Sequence, residues 1–534
     1  MPRRRFRRWR WAIGILVLLL IVVAFCVPTV IIRAQPILRG RVIETLSTRF
    51  KSRVDLAEFH VWIANGVHVS GKGLKIFGAT DPNPWEPGVQ PLLEIEEFHF
   101  QTALDNLFRE PVHVDTVFLT GLTMNIPPKS DRHEMNSLRP RLGRMSIMVE
   151  RFVCTDTKLI INNAHRAKAP MEFDINNLRM KDVGPGLPLR FDATLVNPKP
   201  VGDIQSTGQF GPLNEESPRD SAVSGNYSFT NADLGTLKGI GGILSSIGAY
   251  AGTLGRIEVN GQTDTPDFHI ASGHRVPLHA DFHAIVDGTD GDTYLDPVRA
   301  RVLQFSFTAN GRVVLMKNAH GHDIELNLVL GYANIEDLLK LGVKTDPPIM
   351  TGAVAMRTKL RLLPGPTDVA NRLRLDGTFH VSEGHFNNEK VQNRIDSLSL
   401  RSQGKPKLAQ AHGEENVESD LQGRFALRQG VLTFPFLRFQ IPGTHADLTG
   451  QYSLDGDIFD FHGTVRLDAK LSQMTTGWKS ILLKPADPFF RKHGAGTEVP
   501  FKITGTHEEP RFGLDFGHKN QSSRVDHQES TAVR

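Results

Sequence analysis

Three residues on one short stretch have the types and the spacing for metal chemistry: His279, Asp281 and His283, in the run PLHADFHAIV. On a strand, positions i, i+2 and i+4 share a face, so two imidazoles and a carboxylate would stand within reach of one zinc ion. The same alternation sends Ala280, Phe282 and Ala284 to the opposite face, which also describes an ordinary strand with a solvated outer side. His320 and His322 repeat the pattern more weakly. The reading adopted is the solvated strand, with no metal and no cofactor.

Other chemistry-bearing residues lead no further. Gly239-Ile240-Gly241-Gly242 lacks the Gly-Lys-Ser/Thr ending with which a phosphate loop cradles its ligand. No Gly-x-Ser-x-Gly elbow occurs. Cys154, two residues from Asp156, has no base beside it in the sequence and reads as a buried structural cysteine. Glu215-Glu216 and Glu508-Glu509 fall in polar turns. No catalytic residue is assigned and the chain is not expected to be an enzyme.

The charge distribution points to a membrane. Arg3, Arg4, Arg5, Arg7, Arg8 and Arg10 crowd the first ten residues; taking these six from the 62 lysines and arginines leaves 56 against 58 acidic residues. The remainder is near neutral, so the basic pI of about 8.9 is no sign of a nucleic-acid partner. Residues 11–32 carry no charge. As a helix they would run about 33 Å, enough for a hydrocarbon core of about 30 Å. The arginines, with Trp9 and Trp11 at the interface, place residues 1–10 in the cytoplasm and the body beyond the membrane. The apolar run is longer than a signal-peptide core and no small-residue cleavage site follows it. Of the two cysteines, Cys26 lies within this segment, so the exported body folds without a disulfide.

The elements that would position any site are strands. Val42, Ile43, Leu46 and Phe50 have helical spacing. Beyond them the period becomes two: Val112 to Ile126, Arg301 to Phe307, and Leu373, Leu375, Gly377, Phe379 and Val381 on one face. Asn65-Gly66, Asn260-Gly261, Asp287-Gly288, Asn310-Gly311, Asp376-Gly377 and Asp455-Gly456 predict hairpin turns, hence successive antiparallel strands. Asp81–Pro91 reads as a loop, Leu234–Leu254 and Trp478–Phe490 as short loose helices, and Ser402–Ser419 as a polar insertion.

One stretch breaks the alternation. Leu432, Phe434 and Phe436 hold one parity, while Leu437, Phe439 and Ile441 hold the other. A sheet wet on both faces would not tolerate this. Either two sheets pack as a sandwich, or one face lines an apolar groove.

Two blocks carry a family resemblance. The first holds Ile335-Glu336-Asp337-Leu338-Leu339, Pro347-Pro348-Ile349-Met350-Thr351-Gly352 and Asp376-Gly377-Thr378-Phe379. The second holds Gly423-Arg424-Phe425-Ala426-Leu427, Gly430-Val431-Leu432, Pro442-Gly443-Thr444, Leu448-Thr449-Gly450, Pro500 to Thr506 and Pro510-Arg511-Phe512. In turn and strand texture they resemble the AsmA-like family of bacterial envelope proteins, which is similar to the bridge-like lipid transfer proteins. The resemblance implies a long curled β-sheet with an apolar groove, hung from the inner membrane, that moves phospholipid or supports outer-membrane assembly.

The expected fold is therefore all-β and mostly antiparallel, an elongated curled sheet or stacked sandwich-like modules, with one N-terminal transmembrane helix and a few short helices. The expected layout is a cytoplasmic basic tip (1–10), a membrane helix (11–32), an N-terminal β-rich periplasmic region (33–330), an AsmA-like C-terminal β-rich region (331–517) and a polar, disordered tail (518–534). Phe305, Phe307, Phe379, Phe425, Phe434 and Phe461 are the candidates for a lipid-contacting face. Expected partners are membrane lipids, the bacterial inner membrane and other envelope proteins. The alternative is an assembly factor for the outer membrane without lipid cargo.

Overall fold

A computed structural model describes residues 35–515 except 49–51, 78–89, 104, 107–111, 127–146, 162–170, 185, 213, 215–216, 238, 271–272, 289–290, 316–321, 343–345, 412–415, 454–457, 477–495 and 507–508. The basic tip, the membrane segment, Phe50, His320, Asp455-Gly456, the Trp478–Phe490 stretch and the tail after 517 lie outside the described residues. No helix among the described residues is long and apolar enough to cross a membrane.

The chain is mostly strand, and most pairings are antiparallel. It divides into unit 1 (Met1–Asp233, Ser245–Gly261, Ile285–Asp290) and unit 2 (Leu234–Leu244, Gln262–Ala284, Gly291–Arg534).

In unit 1 residues 35–48 are helical, as the spacing of Val42 and Leu46 predicts. The Arg39 guanidinium donates to the Leu56 carbonyl at 2.9 Å. Strands β1 (Val54–Asp55) and β2 (Glu58–Ile63) pair with β3 (Val67–Ile76), which leads through β4 (Leu93–Thr102) to β5 (Val112–Ile126). β5 then runs parallel to β6 (Ile147–Ile161), a departure from the expected antiparallel succession. Parallel neighbours need a crossover rather than a tight turn, and residues 127–146 separate the two strands in the sequence. The ladder continues antiparallel through β7 (Met171–Val183), β8 (Leu189–Pro198), β9 (Val201–Phe210) and β10 (Ala222–Asp233).

The stretch 234–254 is not a loose helix. After one 3-10 turn it forms β11 (Ile240–Gly241) and β12 (Ile243–Thr253), followed by β13 (Arg256–Ile270). Its glycines permit close strand approach: a Cβ on Gly248 would lie 2.5 Å from the Asn260 carbonyl oxygen.

After β14 (Val276–Val286), the larger part of unit 2 is an antiparallel ladder. It runs through β15 (Thr293–Val302), β16 (Phe305–Leu315), β17 (His322–Asn334), β18 (Met350–Leu362), β19 (Leu373–Phe386), β20 (Ser419–Arg428), β21 (Val431–Ile441), β22 (Thr444–Ser453), β23 (Ile458–Leu467), β24 (Thr497–Thr506) and β25 (Pro510–Leu514). Helix α1 (Ile335–Gly342) follows β17, α2 (Val369–Arg372) precedes β19, and α3 (Glu389–Ser402) and α4 (Pro406–Gln410) follow β19. The supposed polar insertion at 402–419 thus begins at the end of a helix. Asn388 caps α3, its side chain accepting from the Lys390 and Val391 amides.

Several turn expectations are corrected. Asn65-Gly66 does turn, with both residues at positive φ, and Asp287-Gly288 lies just past β14. Asn260-Gly261, Asn310-Gly311 and Asp376-Gly377 lie inside strands. The run Arg301–Phe307 is two strands joined at Leu303-Gln304, with Leu303 at φ 48°.

Candidate functional site

The register of unit 2 separates two faces. Leu295, Gly311, Leu326, Leu360, Leu375, Leu427, Leu432 and Tyr452 stand in one cross-strand row from β15 to β22. A second row runs Leu330, Met356, Phe379, Gly423, Leu437, Leu448, Gly463, Phe501, Leu514 from β17 to β25. Neither row holds a charge. One residue away the opposite face reads Arg312, Glu325, Arg361, Arg374, Arg428. Ten spacings of about 4.8 Å give the eleven strands an apolar run of about 48 Å.

The break in parity at Leu432–Ile441 has a backbone cause. The β21–β22 register shifts between Phe434 and Leu437, and the β20–β21 register between Arg424 and Ala426. This bulge turns Leu432 and Phe434, and then Leu437 and Phe439, onto the same face. Only Phe436 is left outside, 38% exposed, with the Arg438 guanidinium 5.3 Å from its ring centre. The strand is apolar on one face, not two.

The six candidate phenylalanines share this face but not one environment. Phe305 is 3% exposed and belongs to a core with Val276, Val302, Leu330, Ile335, Met350, Val354 and Val381. Leu338, Leu339 and Leu341 of α1 pack on that core, and so does Phe307. Phe379, Phe425, Phe434 and Phe461 form a contact chain on four strands, with ring centres 6.1 Å (379–425), 6.1 Å (379–434) and 5.6 Å (434–461) apart. Phe425 is buried, whereas Phe379, Phe434 and Phe461 are half-buried. A second cluster at Ala446, Leu448, Val465 and Leu467 takes in Leu398 of α3, Met474 and Phe501.

Glycines let the rings lie down on the sheet. Gly377 stands opposite Phe425, Gly423 opposite Phe379 and Gly450 opposite Phe461. A Cβ on Gly377 would meet the Phe425 ring at 2.8 Å, and one on Gly450 would meet the Phe461 ring at 2.5 Å. Asp376-Gly377 imitates a turn signal but is a seat for an aromatic ring. Half-buried residues that the phenylalanine pattern alone missed include Leu326, Leu328, Met356 and Leu360. The alternation of Ile324, Leu326, Leu328 and Leu330 was the signal that would have found them.

Unit 1 has the same division with different fillers. Ile95, Leu122 and Cys154 form one core and Val114, Val117 and Val149 another. Cys154 is fully buried, and burial pushes its thiol up to about 11, so it stays protonated at neutral pH. Farther along, the Tyr250 hydroxyl lies 2.7 Å from Ser206 Oγ and the Tyr227 hydroxyl 3.0 Å from Ser246 Oγ. Burial raises both phenols.

The outer faces carry the charge. Lys359 and Arg312 hold the Glu325 carboxyl below its ordinary range, and Asp323 raises the Arg361 guanidinium. His462 is held between Asp515 at 2.7 Å and Asp460 at 2.9 Å; the Asp515 hydrogen bond is the main cause of its raised pKa. His279, Asp281 and His283 lie on an outer face, with Ala280 and Ala284 buried behind them. His279 Nδ1 meets Asp264 at 2.7 Å and His283 Nδ1 meets the Asp296 carbonyl at 2.8 Å. Among the described residues no group of three His, Cys, Asp or Glu is placed to hold a metal ion.

No family model, curated protein or solved structure matches the chain.

Proposed function

We propose that the chain binds lipid, phospholipid above all, and guides it along the apolar face of unit 2. The observation that carries this reading is the row of half-buried side chains around Phe379, Phe434 and Phe461, on a face to which β17–β23 contribute no Asp, Glu, Lys or Arg. Farther along the same row the Arg394 guanidinium of α3 lies 5.5 Å from the Phe512 ring centre. A half-buried apolar face of this extent is unfavourable in water and marks a surface with an apolar occupant. Acyl chains supply one: each methylene removed from water contributes about 0.8 kcal/mol. The charged outer face keeps the opposite side of the sheet in water.

The uncharged segment 11–32 behind its arginines supports an anchor in the bacterial inner membrane with the body in the periplasm. With the AsmA-like texture of the two blocks, this gives a role in outer-membrane lipid homeostasis. A reporter fused to the C-terminus is then active only outside the cytoplasm; cytoplasmic activity would reverse the topology.

Photo-crosslinking residues at positions 379 and 434 test the binding face. Both capture phospholipid in cells, whereas crosslinkers at Gln304 and Ser306, exposed on the other side, do not. Capture of protein without lipid at 379 and 434 would make the face a partner surface and return the chain to an assembly role.

A further inference from the structure

Three arginines stand side by side on the outer face of unit 2. Arg361 is in register with Arg374, and Arg374 with Arg428. Like charges directly opposite one another destabilise a sheet unless something offsets them. For the flanking two the offset is present. Arg361 binds Asp323 through two hydrogen bonds of 3.1 and 2.9 Å. Arg428 binds both Asp376 oxygens, at 2.8 and 2.7 Å. Arg374 lies between them, exposed, and has no ion pair or hydrogen-bonded side-chain partner among the described residues.

Beside Arg374 the connection from β18 to β19, α2 and the end of β20 frame an open cavity of about 340 Å³, lined by Leu363, Pro364, Thr367, Arg372, Arg374 and Arg428 among others. Arg372 is fixed at its wall, donating to the Thr367 carbonyl at 2.7 Å and the Leu363 carbonyl at 2.6 Å. No acidic residue lines the cavity; among the described residues the carboxylate ion-paired with its arginines is Asp376, committed to Arg428. Three guanidinium groups against one carboxylate leave a surplus of positive charge, and two of the three are held in place by hydrogen bonds. Asn371 adds a neutral amide.

We propose that this cavity is a binding site for a phosphate-bearing anion, with Arg374 as its principal contact. A planar guanidinium matches two phosphate oxygens at once, and an anion between like charges removes their repulsion. The same strand ends carry Leu362, Leu373 and Leu427 on the apolar face. The anion is thus either a soluble phosphate compound or the headgroup of a phospholipid whose chains reach over the strand ends. The site stands on its own geometry and does not rest on the lipid reading.

The test uses the full chain in a nonionic detergent. Calorimetry follows inorganic phosphate in one arm and micelles doped with phosphatidylglycerol, against phosphatidylcholine, in the other. Saturable binding in either arm, weakened about tenfold or more by Arg374→Gln and less by Arg374→Lys, is the expected result for a bidentate charged contact. Binding of phosphate itself identifies the soluble source. Binding of phosphatidylglycerol alone identifies the headgroup. Arg299→Gln, at an exposed position on a distant strand of unit 2, leaves binding unchanged. Because Arg374 is exposed and unpaired, its replacement does not lower the unfolding midpoint. The proposal is overturned if neither arm separates wild type from Arg374→Gln, or if Arg299→Gln weakens binding equally. Loss of crosslinks at Phe379 and Phe434 would sink the lipid reading and leave this result untouched.

Discussion

Phe305 and Phe434 have the same side chain, sit on strands of the same ladder and face the same side, yet one is core and the other only half-buried. The difference lies in the segments packed over them. The chain after β17 folds back as α1, whose Leu338, Leu339 and Leu341 pack on the core to which Phe305 belongs. Around Phe434 the neighbours are Phe379 and Phe461, rings of its own face. Alternation in a strand therefore selects the face of a residue, and a separate helix decides whether that face is a core.

The largest effect comes from breaking the covered end. Phe305→Glu puts an unpaired carboxylate among nine-tenths-buried apolar side chains, which costs several kcal/mol or forces the group to take up a proton. Unit 2 is expected to lose its cooperative thermal transition. Phe434→Glu places the same charge where water reaches, so the transition persists while lipid capture at position 379 falls. Equal unfolding by both variants would erase the distinction and favour closed cores throughout.

An intermediate effect tests the glycine seats. Gly450→Val sets a Cβ 2.3 Å from the Asp460 carbonyl oxygen and 2.5 Å from the Phe461 ring. The ring must lift or the strands must part, at a cost of about 1–3 kcal/mol. Gly186→Val, where nothing lies within 4 Å of the Cβ, controls for bulk, although its positive φ adds backbone strain of its own. A denaturation midpoint for Gly450→Val at or above that of wild type would remove the seats from the account.

Strand content, the alternation of Leu373 to Val381 and the outward histidines of β14 were legible in the sequence because each follows from local periodicity; the buried thiol of Cys154 was legible because no base stands beside it. Three features were not. The parity switch at Pro435-Phe436 is a bulge set by two partner strands, and one strand read alone looks apolar on both sides. Glycines opposite aromatic rings look like turns when the partner ring is dozens of residues away, as with Gly377 and Phe425. The helix α3 buries four polar side chains, Gln392, Asp396, Ser399 and Ser402, beside a single fully buried apolar one, Leu400, so hydrophobic spacing understates it. Those side chains bond to strand ends: Asp396 accepts from the Val417 amide at 2.9 Å and Ser399 donates to the Pro442 carbonyl at 2.9 Å.

The smallest expected effect sharpens the contrast between the two sides of one strand. On β23, Phe461 faces the apolar side, and the next residue, His462, faces Asp460 and Asp515. Asp515 comes directly after β25 and its amide bonds to the Pro500 carbonyl at 3.2 Å, so the histidine ties the last described strand to β23 across β24. The folded-state pKa of His462 is raised above its unfolded value of about 6.5. The stabilisation is therefore fully present below about pH 6.5 and is lost as pH rises through the folded pKa. Hydrogen exchange at β25 amides should quicken between mildly acidic and mildly alkaline pH, beyond the intrinsic acceleration seen at β22. His462→Gln should remove that excess. Lipid crosslinking at Phe461 should change little across the same range, because the titrating group lies on the other face. A pH-dependent loss of crosslinks at Phe461 that His462→Gln abolishes would show that the two faces are coupled through the strand, and the separation between a charged scaffold and an apolar face would have to be given up.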